Sequence, residues 1–306
     1  MLYFSFGGSM VHIALIGEPT WESQQVKNEI IKRGCKFTWI DPAKIVMISG
    51  SVNPLFEISE YGNPDVVLFR LMAIGLKIPK KKFVDDIGLA ILTFFEAAGV
   101  PTMNPSYAIR NSMHKHYAHV LLTKAGLPTP LSCYAQTPEV ALKALKKIGY
   151  PAVIKPLMGS QGKGVVKVNS PEEAEKDLLE RLEYPVIIEE YVEKVGNRDT
   201  RVFVVGEQAI AAMHRIAKPG TFITNVHMGG SVKGLYPVPD DLAELAIKAA
   251  KTLNLIMAGI DIMEDPDRGY MILETNSVPG FQGLYKATGV NMAPFIVEKA
   301  IELAKK

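Results

Sequence analysis

Apolar residues in the first third of the chain form short continuous runs, separated by stretches with helical spacing. Continuous runs occur at 11–16, 36–40, 65–71 and 100–103, and helical spacing occurs at 22–32 and 84–98. Strands that alternate with helices in this way build a parallel sheet covered on both faces. The pattern therefore predicts a doubly wound α/β domain at residues 10–110, and residues 1–9 are interpreted as a tag or an upstream extension.

After residue 110 the pattern changes, and short strands and hairpins mix with helices. Helices are predicted at 112–126, 138–148, 171–182, 240–253 and 294–305, and strands at 152–155, 165–168, 186–189, 256–263 and 270–275. A hairpin is predicted through Val205-Gly206-Glu207-Gln208, and the Leu127-Pro128-Thr129-Pro130 segment is a stiff boundary. We therefore predict two α+β units, at residues 111–190 and 191–306.

Two carboxylates and an amide are predicted to meet on one face of a C-terminal hairpin. If Asp265 pairs with Tyr270, counting back along both strands places Asp261 opposite Glu274. Strand side chains alternate, so Asn276 joins that face. The same count places four apolar residues on the other face: Ile260, Ile262, Met271 and Leu273. Converging oxygen ligands suit Mg2+, although two unrelated surface carboxylates would give the same sequence.

Lys155 ends a predicted strand and precedes a loop that is rich in glycine, Gly159-Ser160-Gln161-Gly162-Lys163-Gly164. Such a loop lets backbone N–H groups approach phosphate oxygens, while the lysine supplies a positive charge. The loop is not a Walker A motif, because neither Ser nor Thr follows Lys163. An ordinary glycine-rich hairpin turn remains the alternative. The run Glu189-Glu190-Tyr191-Val192 is interpreted either as backbone that contacts an adenine edge or as a simple strand between units.

Composition excludes several classes of partner. With 34 basic and 32 acidic residues the net charge is +2, which favours neither a nucleic-acid groove nor an acidic membrane surface. Cys35 and Cys133 are too few and too far apart for a disulfide framework or a zinc site, and they fit a reducing compartment. The apolar run 89–95 is far shorter than the roughly 20 residues that span a bilayer. We expect a cytoplasmic protein without nucleic-acid or membrane partners, and a homodimer or homotetramer stays open.

Taken together and in this order, the motifs resemble the ATP-grasp superfamily and, within it, the RimK-like carboxylate–amine ligases. Three runs select this subgroup: Arg201-Val202-Phe203-Val204-Val205-Gly206, Asn225-Val226-His227-Met228-Gly229-Gly230 and Glu274-Thr275-Asn276-Ser277-Val278-Pro279-Gly280. The resemblance extends from Met10 to the C-terminus. It implies a pre-ATP-grasp domain at 10–110, a lid subdomain with the glycine-rich loop at 111–190 and a subdomain with the metal site at 191–306. ATP is expected between the last two.

The resemblance also implies a role for each matching residue. The residues expected to hold the nucleotide are Lys115, Lys155, Gly159, Ser160, Gln161, Gly162, Gly164, Glu189, Glu190, Tyr191, Val192, Asp199 and Asn225. Those expected to act on the transferred phosphoryl group or acyl substrate are Arg201 and Arg215, with Asn225 beside them. The expected Mg2+ ligands are Asp261, Glu274 and Asn276, for two ions that Mn2+ would replace.

The implied reaction is attack of a substrate carboxylate on ATP to give an acylphosphate, followed by attack of an amine to give an amide. This chain has His114 where the family usually has Asp, and Ile223 and Met228 where RimK ligases have Arg. The run Asn276-Ser277-Val278-Pro279-Gly280 is more similar to the glutamate-adding branches of the family, so we expect L-glutamate as the amine. The apolar Ile223 and Met228 favour a coenzyme such as tetrahydromethanopterin or a deazaflavin as the acceptor. Alternatives are a ribosomal-protein tail, the carrier protein of lysine biosynthesis, or a regulatory ATP-binding protein without turnover.

Overall fold

The computed structural model describes residues 10–42, 45, 64–70, 84–157, 164–180, 185–218, 220–222, 224 and 230–305, without the side chains of 84–87 and 179–180. The chain divides into two compact units: one contains Met1–Ile109, Gly280–Gln282 and Asn291–Lys306, and the other contains Arg110–Pro279 and Gly283–Val290. Among the described helices, none has the length and apolar character needed to cross a membrane. The predicted tag at 1–9 lies outside the described residues, and the domain boundaries predicted at residues 110 and 190 stay predictions.

The first unit contains the parallel sheet that the N-terminal pattern predicts. Its strands are β1 (His12–Gly17), β2 (Lys36–Ile40), β3 (Val66–Arg70) and β4 (Thr102–Met103), in the spatial order β2-β1-β3-β4. Every residue of β1 and β3 is buried, as expected for strands covered on both faces. Among its described residues, this unit has the helices α1 (Trp21–Lys32), α2 (Val84–Ala97) and α9 (Ala293–Ala304). Helix α9 packs against α1 and β3.

The described residues of the second unit form two antiparallel sheets, of which the smaller has four strands. These are β5 (Ser132–Ala135), β6 (Ala152–Pro156), β7 (Val166–Val168) and β8 (Val186–Glu190), in the order β5-β8-β6-β7. Helices α5 (Pro138–Ile148) and α6 (Pro171–Glu180) share a buried apolar core with this sheet. We call this four-stranded sheet the small sheet.

The larger sheet has five strands, and we call it the large sheet. They are β9 (Arg198–Val205), β10 (Gln208–Ile216), β11 (Ser231–Leu235), β12 (Met257–Asp265) and β13 (Gly269–Asn276), in the order β11-β10-β9-β12-β13. Helix α7 (Asp240–Thr252) packs on it. Alternation puts Val202 and Ile260 together on one face, where both are fully buried, so the opposite face is left for polar side chains.

Three further helices belong to segments that connect these sheets or follow them. They are α3 (Ser106–Met113), α4 (Lys115–Lys124) and α8 (Gln282–Thr288). The single helix predicted at 112–126 is wrong, because the chain leaves helical geometry at His114. That residue is extended, and its ring accepts a hydrogen bond from the backbone N–H of Tyr117, so it caps α4. The sequence pattern also missed α3, α8, β5 and β11.

The β12–β13 hairpin corrects the predicted register while keeping its main consequence. Asp265 pairs with Gly269 rather than with Tyr270, so the turn is one residue shorter than predicted. A β-bulge beyond Asp261 takes up the difference, and Asp261 still lies opposite Glu274.

The bulge also changes which apolar residues share a face. Met271 lies opposite Met263, on the side of the carboxylates, whereas Ile272 takes the position opposite Ile262. Leu273 packs with Met263 and Met271. The prediction that Met271 and Leu273 lie on the same face as Ile260 and Ile262 is therefore wrong, because it assumed unbroken alternation along β13.

Candidate active site

A row of charged side chains crosses one face of the large sheet. Asp261 on β12 pairs in register with Arg201 on β9 and with Glu274 on β13. Asp199, two residues before Arg201, pairs with Arg215 on β10. Residues that lie directly opposite each other share a face, and so do residues two apart on one strand. Four neighbouring strands therefore bring these five predicted site residues together.

Asp261 is the centre of this row. Arg201 donates from Nε to Oδ1 at 2.7 Å and from Nη2 to Oδ2 at 2.8 Å, and Arg215 Nη2 lies 2.9 Å from Oδ2. Burial raises the pKa of the Asp261 carboxyl, but the charges and hydrogen bonds of the two arginines outweigh it and hold the pKa below its ordinary value. The side chain, only 2% exposed, is therefore a carboxylate at neutral pH.

Arg215 connects Asp261 to a second buried carboxylate. Its Nε donates to Asp199 Oδ1 at 2.6 Å, and the hydroxyl of Thr224 donates to the other oxygen of Asp199. Burial lowers the pKa of Arg215, but Asp261 and Asp199 raise it further, to above the ordinary value. Sequence reasoning missed Thr224, whose only signal was its place beside Asn225.

The depressed pKa of Asp261 predicts a pH-dependent contribution to stability. A group whose pKa is lower in the folded state stabilises fully above the unfolded value, about 3.9, and loses that stabilisation as pH falls through the folded value. The difference in free energy of unfolding between wild type and Asp261→Asn should stay constant from about pH 7 to pH 5 and shrink below about pH 4. Urea unfolding across this pH range measures it.

Asp267→Asn is the matched control, because Asp267 is an exposed carboxylate in the turn of the same hairpin. We expect this change to alter the free energy of unfolding by less than about 0.5 kcal/mol throughout. If the difference in free energy of unfolding between wild type and Asp261→Asn is as large at pH 3 as at neutral pH, Asp261 is not a paired, ionised carboxylate.

The three predicted metal ligands offer the oxygen atoms that a hard cation requires. Glu274 is 41% exposed, and its carboxylate lies 3.7 Å from Lys115 Nζ. Asn276 Nδ2 donates to the carbonyl of Gly259 at 3.4 Å, which leaves its Oδ1 for other contacts. Within the described ranges no three His, Cys, Asp or Glu side chains form a metal cluster. The predicted ligands would supply two carboxylates and an amide oxygen, a donor set that fits Mg2+, and their role as ligands stays a prediction.

A second ion pair lies in the small sheet. Lys155 on β6 and Glu189 on β8 occupy adjacent antiparallel strands, and the ammonium group donates to the carboxylate. Their side chains are 14% and 9% exposed. Lys155 is thus held in place by a carboxylate of the same sheet before any anion reaches it.

The last residue of β8 and the residue after it make contacts that reach both sheets. Glu190 Oε1 accepts hydrogen bonds from the backbone N–H of Leu131 at 2.8 Å and from Arg268 Nη1 at 2.7 Å. The ammonium group of Lys167 lies 3.5 Å from the ring centroid of Tyr191, a cation–π contact. Arg268 belongs to the turn of the β12–β13 hairpin, so Glu190 links the small sheet to the large one.

Val192 continues this segment onto the large sheet. It is 5% exposed and packs with Met263, Met271 and Leu273 beside the carboxylate row. This apolar cluster comes directly from the bulge in β13, and sequence reasoning did not predict it.

Several predicted residues fall outside the part of the chain that the structure describes. They are Gly159, Ser160, Gln161, Gly162 and Asn225, together with Ile223, Met228 and Gly229. Gly164 is described and has a φ of +74°, in the left-handed region that favours glycine. The roles expected of the glycine-rich loop and of Asn225 stay predictions.

The fold is that of the ATP-grasp ligases. The structure is similar to that of the ATP-grasp ligase PsnB complexed with a phosphomimetic variant of minimal precursor, Mg and ADP, with a TM-score of 0.75 at 22% identity. The match covers 96% of this chain and 99% of that chain. The predicted ATP-grasp fold class is confirmed.

Sequence similarity shows the family. The model of the RimK-like ATP-grasp domain matches residues 112–300. A probable alpha-L-glutamate ligase of Legionella pneumophila is 38% identical over 221 residues, which cover 71% of this chain and 72% of that relative. One of Pseudomonas putida is 35% identical over 274 residues, 87% of each chain. The chain belongs to the RimK-like ATP-grasp family, and the predicted ATP-dependent ligase class is confirmed.

Proposed function

We propose that this chain joins L-glutamate to a carboxylate of an acceptor molecule, using ATP and Mg2+ and passing through an acylphosphate. The observation that carries the proposal is the charged row on the large sheet, where two arginines and two carboxylates meet beside Glu274. Relatives that are 35% and 38% identical are named probable alpha-L-glutamate ligases, which supports glutamate as the amine.

The proposed reaction has two displacements. An oxygen of the acceptor carboxylate attacks the γ-phosphorus of ATP, the bond to the bridging oxygen breaks, and ADP leaves. The amine nitrogen of glutamate then attacks the acyl carbon, the bond to the phosphate oxygen breaks, phosphate leaves, and the nitrogen loses a proton. Phosphoryl transfer of this kind depends on positioning and charge stabilisation, so no nucleophile of the enzyme is required.

The lysines supply part of that charge. Lys155 and Lys115 would contact phosphate oxygens as compact positive charges, and each already has a carboxylate beside it that restricts its position. Asp261, Glu274 and Asn276 would hold Mg2+, which when bound neutralises phosphate oxygens. We propose two ions, for which Mn2+ would substitute.

Both arginines have N–H groups that do not donate to the carboxylates. Arg201 donates to Asp261 through Nε and Nη2, and Arg215 divides Nε and Nη2 between Asp199 and Asp261. A guanidinium group has five N–H donors, so each arginine keeps others that can face the acylphosphate or the acceptor carboxylate. The carboxylates hold both groups rigid, which lowers the cost of ordering them when the reaction occurs.

We propose a small coenzyme of the tetrahydromethanopterin or deazaflavin type as the acceptor. Ile223 and Met228 replace two arginines of the RimK ligases, and apolar side chains suit a flat ring system better than an acidic peptide tail. The ribosomal-protein tail remains the alternative acceptor.

An acceptor screen with labelled glutamate, ATP and Mg2+ tests both parts of the proposal. Each reaction contains one acceptor: the pterin coenzyme, the deazaflavin coenzyme, an acidic tail peptide, or none. Mass spectrometry should show a glutamyl adduct on a coenzyme, and single-turnover release of ADP should match the adduct in amount. A peptide as the best acceptor would overturn the coenzyme assignment alone. Nucleotide binding without release of ADP for any acceptor would favour a regulatory ATP-binding protein.

A further inference from the structure

Lys194 lies in the segment between β8 and β9, two residues after Val192, and it was not among the predicted site residues. Its side chain is partly buried, and Nζ donates to the backbone carbonyl of Phe222 at 3.3 Å. Thr224, two residues after Phe222, donates to Asp199, so the segment that holds the ammonium group is itself attached to the charged row. The charges of Asp199, Lys155, Arg215 and Asp261 act on the pKa of Lys194. Lys194 therefore lies next to the segment that contacts the charged row.

The hydrogen-bond acceptor of Lys194 is a neutral group, whereas the other cations in the site contact carboxylates. Lys155 and Lys115 have carboxylates beside them, and the two arginines donate to Asp199 and Asp261. Within the described ranges Lys194 has only a neutral carbonyl. Burial lowers the pKa of Lys194, because removing an ammonium group from water is costly unless a negative charge compensates.

The side chains of the described site carry one more positive charge than negative charges. The cations are Lys115, Lys155, Lys194, Arg201 and Arg215, and the carboxylates are Glu189, Glu274, Asp199 and Asp261. Pairing each carboxylate with a cation leaves one positive charge over. Lys194 is the cation without a carboxylate in contact, so the excess charge is assigned to it. An excess positive charge in a partly desolvated site attracts an anion.

We propose that Lys194 binds a phosphate group of the nucleotide, exchanging the Phe222 carbonyl for a phosphate oxygen. The inference rests on the proposed function only in that this site takes ATP. A lysine suits the exchange because its flexible four-carbon stem can turn the ammonium group from one acceptor to another. The positive charge of Lys155, the proposed phosphate-binding lysine of the small sheet, also acts on Lys194 and lowers its pKa.

The competing explanation is that Lys194 has only a structural role, in which its hydrogen bond to the Phe222 carbonyl fixes the position of that segment. Asn197 Nδ2 donates to the carbonyl of Thr221 at 2.9 Å, and Thr224 donates to Asp199, so this segment already has two other links to β9 and the turn before it. Glutamine at position 194 can still donate a hydrogen bond to a carbonyl but has no charge, whereas arginine keeps the charge. These two substitutions therefore separate a tether from a phosphate ligand.

Calorimetric titration of wild type, Lys194→Gln and Lys194→Arg with adenosine, ADP and a non-hydrolysable ATP analogue, each with Mg2+, tests the proposal. We expect Lys194→Gln to weaken binding of ADP or the ATP analogue by about 10- to 100-fold, as for a lost hydrogen bond to a charged group. Adenosine binding should stay unchanged, and Lys194→Arg should keep most of the affinity. Lys233→Gln is the control, because Lys233 is exposed on β11 and pairs with His214, on the face opposite Arg215.

Each outcome decides between the explanations. Wild-type affinities in Lys194→Gln would overturn the proposal, and so would an equal loss for adenosine, which indicates a structural tether. Unchanged nucleotide affinities with a raised KM for the acceptor would assign Lys194 to the acceptor carboxylate instead. If the wild type itself binds none of the three ligands, the proposed function fails rather than this inference alone.

Discussion

Replacing Glu274 with glutamine is expected to lower kcat for amide formation by about 100-fold or more while leaving the protein nearly as stable as wild type. Glutamine keeps the shape of the side chain and one oxygen but removes the charge that a metal ligand and its phosphate partners need, and losing one such electrostatic contact typically costs about 10²- to 10³-fold. Glu274 is 41% exposed, and its ion pair with Lys115 is 3.7 Å long. Exposed pairs of this kind contribute only about 0–1 kcal/mol.

Initial rates of ADP release over a range of Mg2+ concentrations, together with thermal melting, measure both effects. Glu264→Gln is the matched control: this residue is on the same hairpin, is 36% exposed and pairs with Arg198 at 3.5 Å. Glu264 is three residues after Asp261 on β12, so alternation places it on the opposite face, and its register partner is Tyr270. Wild-type turnover in Glu274→Gln at saturating Mg2+ would remove Glu274 from the metal site.

The N-terminal sheet could be predicted from the sequence because its strands are defined by local pattern. β2 has the predicted bounds, β1 is displaced by one residue at both ends, and β3 begins one residue later than predicted. Buried strands of a parallel sheet are continuous apolar runs that end at glycine or polar residues, so the signal is strong. The break at His114 was invisible to periodicity, because the residues on both sides of it have helical spacing and only the cap shows where α4 begins.

The C-terminal hairpin shows what periodicity alone cannot supply. The pairing of Asp261 with Glu274 was right because a shorter turn and a bulge offset each other. The bulge puts Met271 and Leu273 against Val192, which is about eighty residues away in the sequence, so this packing has no local signal. A bulge of this kind changes the face of every residue beyond it, so Met271 was assigned to the wrong side.

The electrostatics of the site were the least predictable part. The resemblance to a known family named Arg201, Arg215 and Asp261, but strand spacing could not show that both guanidinium groups contact the same carboxylate. That contact depends on the order β10-β9-β12 in the sheet. Thr224 and Lys194 lie in irregular segments that have no period, and they become visible only through their hydrogen bonds.

Replacing Arg215 with methionine is expected to destabilise the second unit by about 3–5 kcal/mol, the usual cost of removing one partner from a buried ion pair. Arg215 is 8% exposed and contacts Asp199 and Asp261, whose side chains are 1% and 2% exposed. Asp261 keeps Arg201, whereas Asp199 keeps only the hydroxyl of Thr224 among the described side chains. Methionine fills a volume similar to that of arginine. The loss of stability therefore comes from the uncompensated charge of Asp199 rather than from a cavity.

Urea unfolding of Arg215→Met and of the control Arg198→Met measures this loss. Arg198 lies at the start of β9, is 36% exposed and pairs with Glu264 at 3.5 Å, so its replacement should cost less than about 1 kcal/mol. Adding Asp199→Asn to Arg215→Met should recover part of the stability, because the asparagine removes the charge left without a partner. A loss below about 1 kcal/mol for Arg215→Met, or no recovery in the double variant, would contradict a buried carboxylate held by Arg215.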